Sequence, residues 1–340
     1  MAIIKQTLAD ATAGSRFKGA LPLGTMASGA PISIPFVGIK GAESGPCLWV
    51  NGQVHGIEMN GVVAALDFIN SLDAARLRGS VVVTATANPL AMDARRKTAP
   101  QDDNDLDQTF PGRSDGFIAE RFASVMFEET AALADTLINM HTNAATFFGK
   151  PYSVYKNHPD SNVQESLLLR YQAAFNPSVA CLMDIKPGKG ELLGNISGAL
   201  DYQLLARGIP AFMIELGGGG RAEAPYIAQG VQGMRGVAAQ MGILPENDGS
   251  KIMASQLRRT TRRRHLTFDH GGLYRTSYHP GDLVKAGSVM GEVMNLHGEV
   301  VDRIALDKDV ILICTRADPV VHTGDRFHFV AEEWTTVDVK

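Results

Sequence analysis

Cysteine is scarce: Cys47, Cys181 and Cys314 stand far apart in 340 residues, with no CxxC pair among them. That argues against a disulfide framework and against a zinc site built from cysteine alone. Cys47 and Cys314 lie inside apolar runs and read as small core residues. No stretch approaches the roughly 20 apolar residues of a membrane span. The opening residues, "MAIIKQTLADATAGSRFKG", lack the long apolar region of a secretory signal. A cytoplasmic location with no membrane partner is therefore expected, and the sequon at Asn195 means little. There is no basic excess either: 32 Lys and Arg against 36 Asp and Glu leave a formal net charge of −4. No nucleic-acid partner is expected, and the run "RRTTRRR" at Arg258 to Arg264 reads as a solvated linker face. Fixed-period repeats and low-complexity tracts are absent. "PGKGELLGN" near Lys189 lacks the spacing and the Ser or Thr of a phosphate loop, and "ELGGGGR" lacks the GxGxxG spacing of a dinucleotide site.

What is present is an ordinary globular composition, 45% hydrophobic and 20% charged, on a chain long enough for one large domain and a smaller one. Residues 30 to 245 alternate strand-like runs ("PISIPFVGI", "CLWVNGQV", "GSVVVTATA", "TLINMHT", "PAFMIEL") with helix-like segments at 61–72, 116–134, 161–175, 198–207 and 224–241. That order predicts an α/β domain with a parallel or mixed central sheet. Near Pro245 the texture becomes polar, and from His265 onward short strands are separated by turn signals such as "HPGD", "KAGS" and "HTGD". The expected organisation is a catalytic α/β domain over 1–250, then a linker and a smaller, barrel-like all-β domain over 251–340. One appended β module allows for a homo-oligomer.

In open α/β sheets, ligands bind beyond the carboxyl ends of the strands. His55, His141 and Glu215 all fall at or just past strand ends. In "NGQVHGIEMNG" the histidine and Glu58 are three apart, and Gly52 and Gly56 let the backbone fold closely at that corner. Two imidazoles and a carboxylate suit a catalytic zinc with one position left for water, and His141 in "INMHTN" is the candidate third ligand. Glu215 closes the apolar run "FMIEL" and reads as a general base beside that water; the duller reading is a charge emerging at a turn. The polar segment Asn88 to Gly112 is long enough to be functional. Its Arg95, Arg96 and Lys97 could place a cation over an oxyanion or a substrate carboxylate.

Taken in order, "GPCLWVNGQVHGIEMNG", "ANP", "DLDQTFPG", "MHT" and "GIPAFMIELGG" resemble the succinylglutamate desuccinylase/aspartoacylase family, relatives of the zinc carboxypeptidases, over roughly residues 30 to 335. The resemblance implies a zinc-carboxypeptidase-like mixed sheet flanked by helices and a zinc-dependent amidohydrolase that removes an acyl group from an amino-acid-like amine. It implies one Zn2+ per chain on His55, Glu58 and His141, with Glu215 as general base and then acid. An arginine of the long loop would polarise the scissile carbonyl. Arg96 lies closest to that position, with Arg95 and Lys97 one residue to either side. The family motif "DLNR", whose Asn and Arg hold a substrate carboxylate, here reads Asp105-Leu106-Asp107-Gln108. An anion and a neutral amide at 107 and 108 disfavour dicarboxylate substrates and favour a neutral or cationic group, as in an N-acylated diamino acid.

The C-terminal part resembles the β-barrel of the same family and also biotinyl/lipoyl carriers, but "VMNLHGEV" has no lysine at the hairpin tip that a carrier needs. His270, His279, His297, His322 and His328 there read as surface or capping residues. Two rivals remain at this level: a metallocarboxypeptidase, and a non-catalytic binding protein that keeps the fold.

Overall fold

In the computed structural model, residues 2–183, 185 and 195–339 are described, and the glycine-rich stretch around Lys189 lies outside them. The chain opens with α1 (Ile3–Asp10) and the antiparallel pair β1 (Ser15–Thr25) and β2 (Pro31–Lys40). The α/β part follows as β3 (Glu43–Asn51), α2 (Met59–Asn70), β4 (Arg78–Thr84), α3 (Pro89–Asp93), α4 (Ile118–Leu133) and β5 (Thr136–Asn143). Then come β6 (Phe147–Gly149), β7 (Tyr152–Lys156), α5 (Glu165–Ala173), β8 (Ala180–Met183), α6 (Leu200–Leu205), β9 (Ala211–Gly218) and α7 (Ala224–Gln240). The last part is all strand: β10 (Gln256–Thr267), β11 (Gly272–Arg275), β12 (Leu283–Val284), β13 (Val289–Met294), β14 (Val300–Ala305), β15 (Val310–Arg316), β16 (Val320–Val321) and β17 (Arg326–Asp338).

A continuous 13-stranded mixed sheet runs β1-β2-β4-β3-β5-β9-β7-β8-β10-β17-β15-β12, with β6 paired to β15; β14-β13-β11-β16 form a second, four-stranded sheet. Strands β4, β3, β5 and β9 are mutually parallel and form the centre. Being covered on both faces, they read as continuous apolar runs rather than alternating ones. Leu48, Val50, Val81 and Val83 pack with Phe68 of α2, Phe175 just past α5 and Met234 of α7 on one face. Cys47, Trp49 and Val82 pack with Ile4 of α1, Phe122 and Met126 of α4 and Leu204 of α6 on the other. The expected α/β sheet with helices on both sides is the observed architecture, and the expected strands correspond to β2, β3, β4, β5 and β9. Among the described residues, no helix is long and apolar enough to cross a membrane.

The C-terminal part contributes to the same sheet. Residues 256–267, expected to form part of a polar connector, are β10, paired antiparallel to β17 and parallel to β8. The basic run tolerates this because its outward side chains meet acids on the neighbouring strand: Arg262 lies 2.9 Å from Glu333, and Arg264 lies 2.6 Å from Glu332. Arg263 points the other way and is only 3% exposed. Three residues separate β5 from β6, and β6 pairs with β15, so the strands from β5 through β9, β7, β8, β10, β17 and β15 return to their starting point. Half of the large sheet thus curls around a hollow.

Of the five histidines expected at turns and surfaces, His328 departs from that expectation. It lies on β17, fully buried, with its Nε2 2.8 Å from the Tyr274 hydroxyl. Burial holds its imidazole down to about 3, so it is neutral in the folded protein.

Candidate active site

The hollow is a cavity of about 360 Å³ beyond the carboxyl ends of β3, β5 and β9. Strand β3 ends at Asn51, and a tight turn follows in which the Glu58 amide donates to the His55 carbonyl at 3.0 Å. That turn brings both side chains to one side, just ahead of α2. Gly56 is obligatory there, since a Cβ would run into the Ala91 carbonyl. His141 comes from the end of β5, whose eight residues are all buried.

The three expected ligands converge. One donor atom from each of His55, Glu58 and His141 lies within 4.8 Å of the others, and the side chains are 7%, 6% and 3% exposed. The Glu58 carboxylate joins them, with Oε1 at 2.8 Å from His55 Nδ1 and Oε2 at 3.1 Å from His141 Nδ1. Each far nitrogen has its own partner. His55 Nε2 lies 2.9 Å from Asp105, and His141 Nε2 lies 2.9 Å from the Asn139 amide. Behind Asn139 runs a buried chain: Trp49 Nε1 donates to Thr84, Thr84 to Asn51 Oδ1, and Asn51 to Asn139 Oδ1. Such outer partners fix ring orientation and ligand basicity.

The electrostatics favour added positive charge. Burial alone would raise Glu58, yet the two imidazoles hold its carboxyl down to about 2. Burial alone would lower His55, yet Glu58 and Asp105 push it up to about 10. His141 is raised for the same reason. The donor set of two nitrogens and one carboxylate, clustered and buried inside an anionic wall, fits a divalent cation that would displace these protons.

Glu215 pairs in register with His141 across β5 and β9, and with Tyr152 across β9 and β7. Burial, reinforced by the charge of Glu58, raises its carboxyl to about 7. Among the described residues its Oε2 has no hydrogen-bond partner. The glycine run that follows is fastened rather than hanging as a flap: Gly219 N donates to the Asn143 carbonyl and Gly220 N to that of Ile57, both at 2.7 Å.

The loop cations separate. Arg96, expected nearest the carbonyl, is half exposed and paired with Asp103 at 2.9 Å. Neither Arg95, which sits in a left-handed turn at φ 52°, nor Arg96 lines the cavity. Lys97 does line it, 2.6 Å from Asp105. Asp107 and Gln108 both face the cavity. The Asp107 Oδ1 is buried, without a hydrogen bond among the described residues, 3.9 Å from His141 Nε2, and burial raises its carboxyl. The Gln108 amide is occupied, accepting from the Asn195 backbone N–H at 3.0 Å and donating to Asp105 at 3.3 Å.

Several residues of the site were not picked out from sequence. Asp105 opens the "DLDQ" motif, and its contact with His55 was the missed signal. Lys156 ends the buried strand β7 with both Asp201 oxygens at 2.6 Å. Arg263, His265 and Arg326 reach the cavity from β10 and β17.

A mixed sheet of this topology, with an imidazole–carboxylate–imidazole cluster and a raised glutamate at adjoining strand ends, defines the class of zinc-carboxypeptidase-like α/β hydrolases. Within it, residues 44–241 match the succinylglutamate desuccinylase/aspartoacylase catalytic domain, and the chain belongs to that family. It is accordingly an amide-bond hydrolase. The chain is 24% identical over 307 residues, 88% of its own length and 86% of the other's, to N-alpha-acetyl-L-2,4-diaminobutyric acid deacetylase of Halomonas elongata. Among solved structures it is similar to the product-bound ectoine utilization protein EutE (DoeB) of Ruegeria pomeroyi, with a TM-score of 0.79 at 22% identity, covering 95% of this chain and 98% of that one. A succinylglutamate desuccinylase from a Silicibacter species matches as well, with a TM-score of 0.79 at 21% identity over 95% and 98%.

Proposed function

We propose that the chain is a zinc-dependent deacylase of N-acyl amino acids whose substrate carries a neutral or cationic group near Asp107, as an N-acylated diamino acid does. The observation that carries this reading is the gathering of His55, Glu58 and His141 within 4.8 Å, in register with Glu215. The activity of the Halomonas relative, a diaminobutyrate deacetylase, supports the substrate class.

His55, Glu58 and His141 would hold the cation. Zinc held there supplies Lewis acidity toward water and a carbonyl oxygen. The rest is work for the chain's own side chains. Glu215, raised by burial, is poised to take a proton from the attacking water and hand it to the leaving amine. Asp105 fixes the His55 ring from behind, and Asn139 does the same for His141. Lys97 is the loop cation placed to meet negative charge developing on the carbonyl oxygen. Replacing Lys97 with Met should lower kcat about 10²- to 10³-fold, the range for loss of one such donor. Arg96→Met should cost less than about tenfold, and the reverse ranking in steady-state kinetics would move the role to Arg96.

Substrate choice follows from Asp107 and Gln108. A dicarboxylate would meet a neutral amide, Gln108, where the family motif has an arginine and a carboxylate, Asp107, where it has an asparagine; the bidentate charged pair so lost is worth roughly 1.5–3 kcal/mol. In a panel of N-acetyl amino acids, the diamino acids should exceed N-acetylaspartate and succinylglutamate by about 10-fold or more in kcat/KM. Preference for the dicarboxylates would refute the specificity.

A further inference from the structure

The cavity has two electrical poles. Glu58, Asp105, Asp107 and Glu215 make one acidic, and an N-acyl amino acid bearing a free carboxylate cannot rest that group there without repulsion. Among the described residues, four cations line the cavity: Lys97, Lys156, Arg263 and Arg326. Lys97 is paired with Asp105 at 2.6 Å and Lys156 with both oxygens of Asp201 at 2.6 Å, and Arg263 is engaged as well. The two arginines come from the paired strands β10 and β17, on either side of the His265–Phe329 pair along the ladder: Arg326 is in register with Thr267, and Arg263 with Ala331. The guanidinium of Arg263 stacks over the Phe329 ring, 5.2 Å from its centroid. Arg326 is exposed to the cavity mouth, and its guanidinium makes no ion pair among the described residues. The adjacent acid, Asp325, is engaged by Arg316 at 3.2 Å. Between the arginines, His265 lies flat on Phe329 with ring centroids 4.3 Å apart, and its buried Nδ1 has no hydrogen-bond partner among the described residues.

We propose that Arg326, with Arg263 and His265 on the same wall, binds the free carboxylate of the N-acyl amino acid. This rests on the deacylase reading above. The carboxylate clamp that position 108 no longer supplies is thereby moved to the C-terminal β strands. A substrate spanning the cavity has its carboxylate at the arginine wall and a cationic or neutral side chain toward Asp107, with the amide between them. The recognised chemistry is a single carboxylate two bonds from the scissile nitrogen. Arginine suits it because its planar fork meets both oxygens at once.

The test pairs an N-acetyl diamino acid with its carboxamide, which differs only in lacking the charge, on the zinc-loaded enzyme. The wild type should favour the acid by about 10- to 100-fold in kcat/KM, the range for a charged hydrogen-bonded pair. In Arg326→Ala that ratio should fall close to one, through a higher KM for the acid with kcat little changed. Arg326→Lys should restore part of it. An undiminished ratio in Arg326→Ala overturns the proposal, as does an equal fall in kcat for acid and carboxamide. Were the wild type to cleave neither compound, the deacylase reading would fail. Calorimetric binding would then read the subsite alone: acid binding lost in Arg326→Ala upholds it, and equal binding by both proteins overturns it.

Discussion

Glu215→Gln is expected to retain its metal and lose its turnover, with kcat lower by about 10³- to 10⁴-fold, the upper range for removal of a general acid–base group. The amide keeps the size of the carboxyl but cannot take a proton. Because Glu215 does not belong to the clustered trio, zinc per chain should stay at the wild-type level. The same residue sets the acid side of the pH profile. A base must be deprotonated to act, so raising its pKa moves the loss of activity to higher pH. Burial brings the Glu215 carboxyl to about 7 in the cation-free protein. A dication nearby adds an opposite charge and lowers that value. In the loaded enzyme kcat/KM should therefore fall with decreasing pH along a limb centred at or below about 7, and the residual activity of Glu215→Gln should lack it. A variant turning over at a near-native rate with the limb intact would remove Glu215 from the reaction.

Glu58→Ala should have an effect of similar size by a different route. Among the described residues, Glu58 is the only carboxylate touching both imidazole Nδ1 atoms, at 2.8 and 3.1 Å. Removing it deletes a ligand and also the charge that holds the two rings together. Zinc sites in small domains bind with about 10–16 kcal/mol, so each of four ligands carries roughly 3–4 kcal/mol. One lost ligand then weakens binding by on the order of 10²- to 10³-fold. Dialysis against a chelator should strip Glu58→Ala under conditions where the wild type keeps its metal, and activity should vanish with it. Asp105→Asn, acting from behind His55, should weaken binding by only about 10- to 100-fold. A Glu58→Ala protein that holds zinc as firmly as the wild type would show that the cluster is not the metal site.

How much of this was legible beforehand depends on how local the signal is. The gathering of His55, Glu58, His141 and Glu215 could be read because three of them fall at or just past the ends of apolar runs, with Glu58 three residues from His55, and the α/β rule says what strand ends are for. The parallel centre was legible for the same reason: its strands are buried on both faces and carry little but apolar residues. The loop cations were not. Arg95, Arg96 and Lys97 are chemically alike, and what separates them is backbone direction: the Arg96 amide donates to the Ala91 carbonyl, while the Lys97 carbonyl accepts from Gly56. The Gly56–Lys97 contact crosses between the two loops, and no spacing along the chain foretells it. Arg263 was hidden in a basic run that looks uniformly solvated until β10 forms, when alternation turns one arginine inward and its neighbours toward Glu332 and Glu333. The curl that brings β10 and β17 to the site depends on the pairing of β6 with β15, between residues more than 160 positions apart in sequence. The burial of His328 has another origin: its ring packs against Tyr274 of β11, in the second sheet, and against its neighbour Phe327.

The central claim is that two imidazoles and one carboxylate, delivered by separate strand ends, share a single divalent ion. Anomalous diffraction at the zinc absorption edge, on crystals of the zinc-loaded protein, tests it most directly. One peak per chain is expected, about 2.0–2.2 Å from a nitrogen of His55, a nitrogen of His141 and a Glu58 oxygen. A fully loaded crystal with its peak elsewhere, or with none at these three side chains, would contradict the account.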